Sequence, residues 1–206
     1  GDTILSTPTN HYIEAVKHLA IELDTLSAER SLNAALRLDS TYAPAMNRLS
    51  QIIFSQRREE SYPEALEMCR KVYLSDTSNK EYVKIYSLLL VANDSLQEAL
   101  AMHTKFTAME PHNPDNHRFK AVLESSIGKD SLAVVTLDSA AVLLGRVPEL
   151  ERMKHHILLS MGQHERVLAE CRRHIGEAPN DAYNYSYLGE VYSILKQDSL
   201  ATLCHK

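Results

Sequence analysis

An all-α protein built of repeated helix pairs is what this sequence predicts, on three observations. Composition favours helix over sheet, with 6 Gly, 7 Pro, 3 Phe and no Trp set against many Ala, Leu and Glu. Apolar residues recur at i, i+3, i+4 and i+7, the spacing that gathers side chains on one helix face, and Tyr185, Leu188, Gly189 and Tyr192 show it most clearly. Similar stretches return at a steady interval, closed in turn by Ser40, Thr77, Pro111, Val147 and Pro179. One helix pair cannot bury such a face alone, so copies must stack.

The global properties narrow the function classes. At 206 residues, 44% hydrophobic and 24% charged, the chain can bury a sizeable core. No apolar run approaches the roughly 18 residues of a membrane span, and no apolar signal-peptide segment is present. The chain opens Gly-Asp, the pattern of a trimmed N-terminus, which leans toward an extracytoplasmic home over a cytoplasmic one. A net charge of -5 opposes nucleic acid as a partner, because phosphate binding needs a basic surface. Cys69, Cys171 and Cys204 form no CxxC, and Cys69 and Cys171 fall at apolar slots, as buried thiols do.

In chain order, residues 1–8 read as a loosely held polar leader. Thr9 or Asn10 then caps a helix with the stripe Tyr12, Ala15, Val16, Leu19, the same slots as Tyr185, Leu188, Gly189 and Tyr192. A second helix carries Ala28, Leu32, Ala35 and Leu36. The next unit has Met46, Leu49, Ser50 and Ile53, a long polar turn at Gln56–Ser61, and a helix opened by Pro63 with Ala65, Cys69 and Val72. Val83, Tyr86, Ser87 and Leu90 form the third first-helix stripe; Leu96, Ala99, His103 and Phe106 form its partner, with His103 a hydrogen-bonded core residue. The fourth unit offers Phe119, Val122 and Leu123, then a helix from Leu132 to Leu144 apolar nearly all round and therefore buried on more than one side. The fifth has Leu150, Met153, Ile157, Leu158 and Met161, then Val167 and Cys171. The sixth stops at Lys206, two turns into its second helix. Asp24, Asp94, Asp130 and Asp198 recur in Asp-Ser-Leu or Asp-Thr-Leu at the turns inside each pair, where they can cap the second helix.

Large-x2-L-G-x2-Y at Tyr185–Tyr192, followed by Ala201, resembles the first helix of a tetratricopeptide repeat. The segment from Ala28 to Ser40 is similar to that family's A-x3-F-x2-A-L-x-L-D-P, with Leu for Phe and Ser for Pro. The mean interval, about 35, is close to the family's 34. The resemblance covers residues 9–206 as one domain, with repeats at 9–42, 43–79, 80–113, 114–146, 147–181 and an incomplete 182–206. It implies a right-handed superhelical solenoid of antiparallel helix pairs with first helices lining a concave groove, and a protein-interaction scaffold that binds a peptide or partner segment there. Close helix contacts are expected at Ala65 and Gly189.

Groove-facing residues are then those beside each first-helix stripe: Lys17; Asn47, Arg48 and Gln51; Lys84 and Leu88; Lys120 and Glu124; Arg152 and His155; Tyr183, Tyr187 and Glu190. Five successive repeats each turn one basic residue inward, which suits an acidic segment. Some family members grip a C-terminal carboxylate with basic and asparagine side chains; at those places stand Ile13, Lys17, Arg48, Glu81 and Ile85, so that clamp is incomplete. The alternatives are a pentatricopeptide-like RNA binder, which the acidic charge opposes, and a non-catalytic sensor module of a larger protein. No GxGxxG, GxxxxGK[ST], HExxH or GxSxG occurs, so neither enzyme activity nor a cofactor is expected. His155 and His156 point about 100° apart, and Glu151 with His155 supplies too few ligands for a metal site.

Overall fold

The computed structural model describes the backbone of residues 6–204 and the side chains of residues 6–196, and it contains eleven α-helices and no strand among them. Two compact units divide the chain, Gly1–Ile127 and Gly128–Lys206. The first holds α1 (Pro8–Lys17), α2 (Thr25–Leu38), α3 (Ala43–Ser55), α4 (Tyr62–Ser75), α5 (Lys80–Ala92), α6 (Leu96–Met109) and α7 (Pro114–Ser126). The second holds α8 (Asp130–Leu144), α9 (Pro148–Ser160), α10 (His164–Glu177) and α11 (Ala182–Cys204). The fold is all-α and built of repeated helix pairs: α1 with α2, α3 with α4 and α5 with α6 pack as hairpins, and each of these second helices also packs on the next first helix. In the second unit α9 packs on α8, and α10 on both α9 and α11.

Each repeat turns between its helices on one residue with left-handed backbone. These are Leu23, Arg57, Asp94, Gly128 and Gly162, with φ of 53°, 52°, 57°, 75° and 73°. Their spacing follows the repeat length of the family, except that Arg57 and Asp94 stand slightly further apart. The longer interval follows from the polar loop after α3, where Arg58 reaches back to Glu29 on α2 and a 3₁₀ turn occupies Glu59–Ser61. At the corresponding place in each repeat the first helix presents a fully buried residue: Ala15, Ser50, Ser87 and Ala121 at 0% exposure, and His155 at 1%. The second helices carry Ala28, Ala65, Ala99, Ala133 and Val167 at theirs, all at 0%. Between α3 and α4 contact is close enough for the Ser50 hydroxyl to donate to the Ala65 carbonyl at 3.3 Å.

Several expectations need correction. In the first repeat Ala15, not Val16, fills the small slot, because a π-helical turn at His18–Glu22 takes up one extra residue before Leu23. Thr7 caps α1 by accepting from the Asn10 amide at 3.1 Å, with Pro8 in the first turn, so the helix starts ahead of Thr9; residues 1–5 of the expected leader lie outside the described residues. Of the turn aspartates, Asp24 caps as expected, accepting from the Ser27 amide at 3.0 Å. Asp94 is itself the left-handed residue and Asp130 already belongs to α8. Asparagine caps sit instead on first helices, Asn79 accepting from the Glu81 amide and Asn113 from the Asp115 amide, each at 3.0 Å.

α11 runs through the turn expected at Asp198, whose side chain, like those of Ala201 and Cys204, lies outside the described ones. No glycine or proline occurs from Glu190 to Cys204 to stop it, and Lys196, one repeat length after Gly162, stays helical. Within α11 the buried face is Asn184, Tyr187 and Val191, whereas Tyr185 and Tyr192 are 51% and 46% exposed. A Cβ added at Gly189 would meet nothing within 4 Å, so among the described residues no helix approaches there. α8 buries one face only, leaving Val135 58% and Val142 90% exposed. His103 is a core histidine as expected, 4% exposed, with Nε2 3.1 Å from the Asn116 carbonyl. Cys69 and Cys171 are buried free thiols, and burial pushes both up to about 11.

Three substitutions should separate these features by thermal and urea unfolding. Ala65→Leu should destabilise by about 1–3 kcal/mol, because a larger side chain forces apart helices in contact. Gly189→Ala should stabilise by up to about 1 kcal/mol, since helix propensity is gained and no space is contested. Leu23→Gly should stabilise by about 0.5–1 kcal/mol, because an 84% exposed leucine held at positive φ has strain to lose and little packing. A stabilising Ala65→Leu would overturn the packing register.

Candidate functional site

The stripe that closes a helix pair is Met46, Leu49, Ser50 and Ile53 on α3, and Val83, Tyr86, Ser87 and Leu90 on α5. On α9 the corresponding residues are Glu151, Lys154, His155 and Leu158. Charged and polar side chains therefore enter the core of the second unit, where they must find partners or destabilise it. His155 lies between α10 and α11, its Nε2 3.0 Å from Glu170 Oε2 and its Nδ1 2.9 Å from the Tyr187 hydroxyl. An ionised carboxylate only accepts, so Nε2–H donates to Glu170, and in the neutral ring Nδ1 accepts from Tyr187. Glu170 also pairs with Lys154 Nζ at 2.6 Å and with Arg166 Nε at 3.3 Å. Lys154 and Arg166 meet again on Asp138 of α8, at 3.0 and 2.6 Å.

Burial alone would raise the Glu170 carboxyl, but hydrogen bonds from His155 and Lys154, reinforced by the Lys154 charge, outweigh it and hold the group down at about 2. Burial pushes the Tyr187 hydroxyl well above its ordinary value, with the Glu151 charge adding to the shift. A carboxylate, an imidazole and a hydroxyl in line have the form of a nucleophile relay. A 7% exposed phenol held firmly protonated is the opposite of an activated nucleophile, so the relay fastens three helices.

Against that buried floor stands a surface cluster on α9 and α11. The Tyr183 and Tyr187 rings stack at 6.0 Å and 7°, and Tyr187 stacks on His155 at 5.6 Å and 9°. Arg152 lies over both tyrosines, 5.1 Å from the Tyr187 ring and 5.8 Å from that of Tyr183. Its guanidinium donates to the Tyr183 hydroxyl at 3.1 Å and to Glu190 at 3.0 Å. Arg146 approaches Tyr183 as well, and is anchored by Glu151 at 2.6 Å and by the buried Asn184 at 2.7 Å. Five residues singled out in the sequence thus meet: His155 and Tyr187 as floor, and Arg152, Tyr183 and Glu190 at the surface. Glu151 is occupied by Arg146 and by His174 at 3.4 Å, so no ligand pair with His155 forms. Among the described residues no group of three or more His, Cys, Asp or Glu is placed to hold a metal ion.

In the first unit Lys17 is exposed and 3.9 Å from Glu22, and Arg48 donates to Gln51 at 2.8 Å. Asn47 is buried, and its Oδ1 has no partner. Lys84 is exposed and Leu88 half-buried, while Lys120 lies 3.8 Å from the buried Glu124, whose Oε2 has no hydrogen bond. Counted from the buried small slot, Lys84 and Arg152 share one place, three residues before Ser87 and His155. Lys17, Arg48 and Lys120 fall at other places. The fourth-repeat residue at the shared place is Arg118, exposed and paired at 3.2 Å with Asp115. The sequence reading missed Arg118, although counting one repeat length on from Lys84 or back from Arg152 finds it. It also missed Lys154, Glu170, Arg146 and Asn184, whose partners come from other helices.

The chain has the tetratricopeptide-repeat fold. No family model and no curated protein matches it. Solved structures do: a tetratricopeptide repeat protein from Parabacteroides merdae is 19% identical, with a TM-score of 0.66 over 95% of this chain and 76% of that one. MamA protein is 14% identical, with a TM-score of 0.69 over 85% and 94%, and PilF of Pseudomonas aeruginosa is 16% identical, with a TM-score of 0.60 over 90% and 82%.

Glu170 makes the second unit acid-sensitive in a defined direction. Its folded value lies below its ordinary 4.5, so its contribution is present above about pH 4.5 and is lost as pH falls toward 2. Urea unfolding between pH 6 and pH 2.5 should show up to about 3 kcal/mol of this loss. Glu170→Gln should remove that part of the acid dependence; an unchanged pH profile would contradict the assignment.

Proposed function

We propose that the chain is a protein-interaction module whose first helices bind a partner segment carrying carboxylates. The observation that supports this is Arg152, half-exposed, seated on two stacked tyrosines and paired with the exposed carboxylate of Glu190. A ligand carboxylate can take the place of Glu190, and the ring faces offer an apolar wall to the neighbouring residue. Lys84 and Arg118 give the first unit two basic positions at the same helix slot, so each unit offers the same chemistry. The repeat fold suits such a role, since stacked helix pairs present extended binding faces.

Exposed ion pairs contribute about 0.2–1 kcal/mol each, so affinity should be micromolar and fall with salt. Fluorescence anisotropy with a labelled 12-residue peptide alternating Glu with Leu or Phe tests the reading, against a control with Lys in place of Glu. The acidic peptide should bind and the basic one should not. Arg152→Glu should weaken binding about fivefold, and Glu190→Gln should strengthen it two- to threefold by removing the internal competitor. Equal binding of both peptides, or indifference to both substitutions, would contradict it.

A further inference from the structure

Two distances are constant in the later repeats. The buried small slot of a first helix is followed seven residues on by the left-handed turn residue, and twelve on by the buried slot of the second helix. The sets are Ser87, Asp94 and Ala99; Ala121, Gly128 and Ala133; and His155, Gly162 and Val167. Counted the same way from Gly189 on α11, the turn falls at Lys196 and the second slot at Ala201. Asp198-Ser199-Leu200-Ala201 also repeats Asp130-Ser131-Leu132-Ala133, which opens α8, residue for residue and at the same distance from its first-helix slot. The sequence after Lys196 is thus that of a second helix in register.

The face that such a helix would cover is open. On α5, which packs on α6, Val83, Tyr86, Ser87 and Leu90 are at most 9% exposed. Their counterparts on α11 are Tyr185 and Tyr192, 51% and 46% exposed, the half-buried Leu188, and Gly189, above which a Cβ would meet nothing within 4 Å among the described residues. In the structure α11 runs straight through Lys196 to Cys204. Leu195, Lys196 and Gln197 are good helix formers, whereas glycine marks the turn at Gly128 and Gly162. A side chain does not forbid the left-handed turn, since Leu23, Arg57 and Asp94 already hold φ of 53°, 52° and 57°. Helix propensity therefore favours a straight α11, and burial of two tyrosine rings favours a folded one.

We propose that α11 is hinged at Lys196, and that in solution residues 198–206 fold back over Tyr185, Leu188, Gly189 and Tyr192 as the second helix of a sixth repeat. The occupant of the open face is this chain's own segment, because that segment carries the turn position, the opening tetrapeptide and the slot residue at the spacing that closes the other pairs. Two straight copies laid side by side cannot make the same contact. In a straight helix, positions twelve residues apart point about 120° apart, so the slots at 189 and 201 cannot both face one partner helix. The hinge thus decides whether an apolar helix face is covered or presented. The proposal does not draw on the Arg152 site, whose Tyr183 and Glu190 precede the hinge.

Nuclear magnetic resonance on the whole chain tests this directly. Twelve residues of straight helix hold Gly189 and Ala201 about 18 Å apart, too far for a nuclear Overhauser contact, whereas the hairpin brings the Ala201 methyl against the Gly189 α-protons. That contact should appear, together with a Lys196 Cα shift displaced from the helical range. Thermal unfolding gives a second readout whose sign differs between the two forms. Lys196→Gly should melt about 2 °C above Lys196→Ala, because glycine accepts the left-handed turn while alanine favours the continuous helix. Ala201→Leu should lower the melting temperature by a similar amount, since a larger side chain no longer fits against Gly189. Absence of the contact, or Lys196→Ala melting above Lys196→Gly, would overturn the proposal. A contact seen only between differently isotope-labelled copies would overturn it as well and make a second copy the occupant.

Discussion

Helices in a pair can lie close only where one side chain at the crossing is small or is fully satisfied by its neighbours. Ala15, Ser50 and Ser87 meet the first condition, and the alanines of their second helices meet it from the other side. His155 meets the second condition. An imidazole in that slot requires a hydrogen-bond acceptor on one side and a polar partner on the other, and Glu170 and Tyr187 supply them. A buried Glu170 in turn requires positive charge, which brings in Lys154 and Arg166, and these require Asp138. One enlarged side chain thus brings with it a network joining α8, α9, α10 and α11.

On one face the consequence is preorganisation. Tyr187 is held from behind by His155, Tyr183 stacks on Tyr187, and Arg152 rests on both, so its guanidinium is aimed before any partner arrives. Binding of the proposed carboxylate partner would then forgo much of the side-chain entropy that an exposed arginine on a bare helix would lose. Glu151 and Lys154, at slots that elsewhere hold Met46 and Leu49, line a cavity between α8, α9 and α10.

Most of the fold was legible because it rests on local periodicity. The stripes of α3 and α5, the alanines of the second helices and the repeat interval can all be counted along the chain. What sequence did not show depends on backbone detail or on distant partners. A π-helical turn shifted the first repeat by one residue, and the absence of any helix breaker after Glu190 let α11 run on. Gly189 sits in the most recognisable motif, yet among the described residues its face meets no helix. At the site, Arg152, Tyr183 and Tyr187 were found because exposed positions beside a stripe follow from helical geometry. Lys154 was passed over because a lysine reads as solvent-facing unless its counter-charges are known, and those lie on the two neighbouring helices, at Asp138 and Glu170. Arg118 was lost to a register error in the fourth repeat, whose turn at Gly128 stands one ordinary repeat length after Asp94.

His155 is the residue that fastens the second unit, through Glu170 on α10 and Tyr187 on α11. Equilibrium urea unfolding of His155→Ala measures this directly, because alanine is what the first and fourth repeats carry in the same slot, at Ala15 and Ala121. If the imidazole is the fastener, the substitution leaves Glu170 and Tyr187 short of partners around a void and should destabilise by about 2–4 kcal/mol. A variant as stable as the wild type, or more stable, would show that the slot simply prefers a small residue and that the network does not hold the unit together.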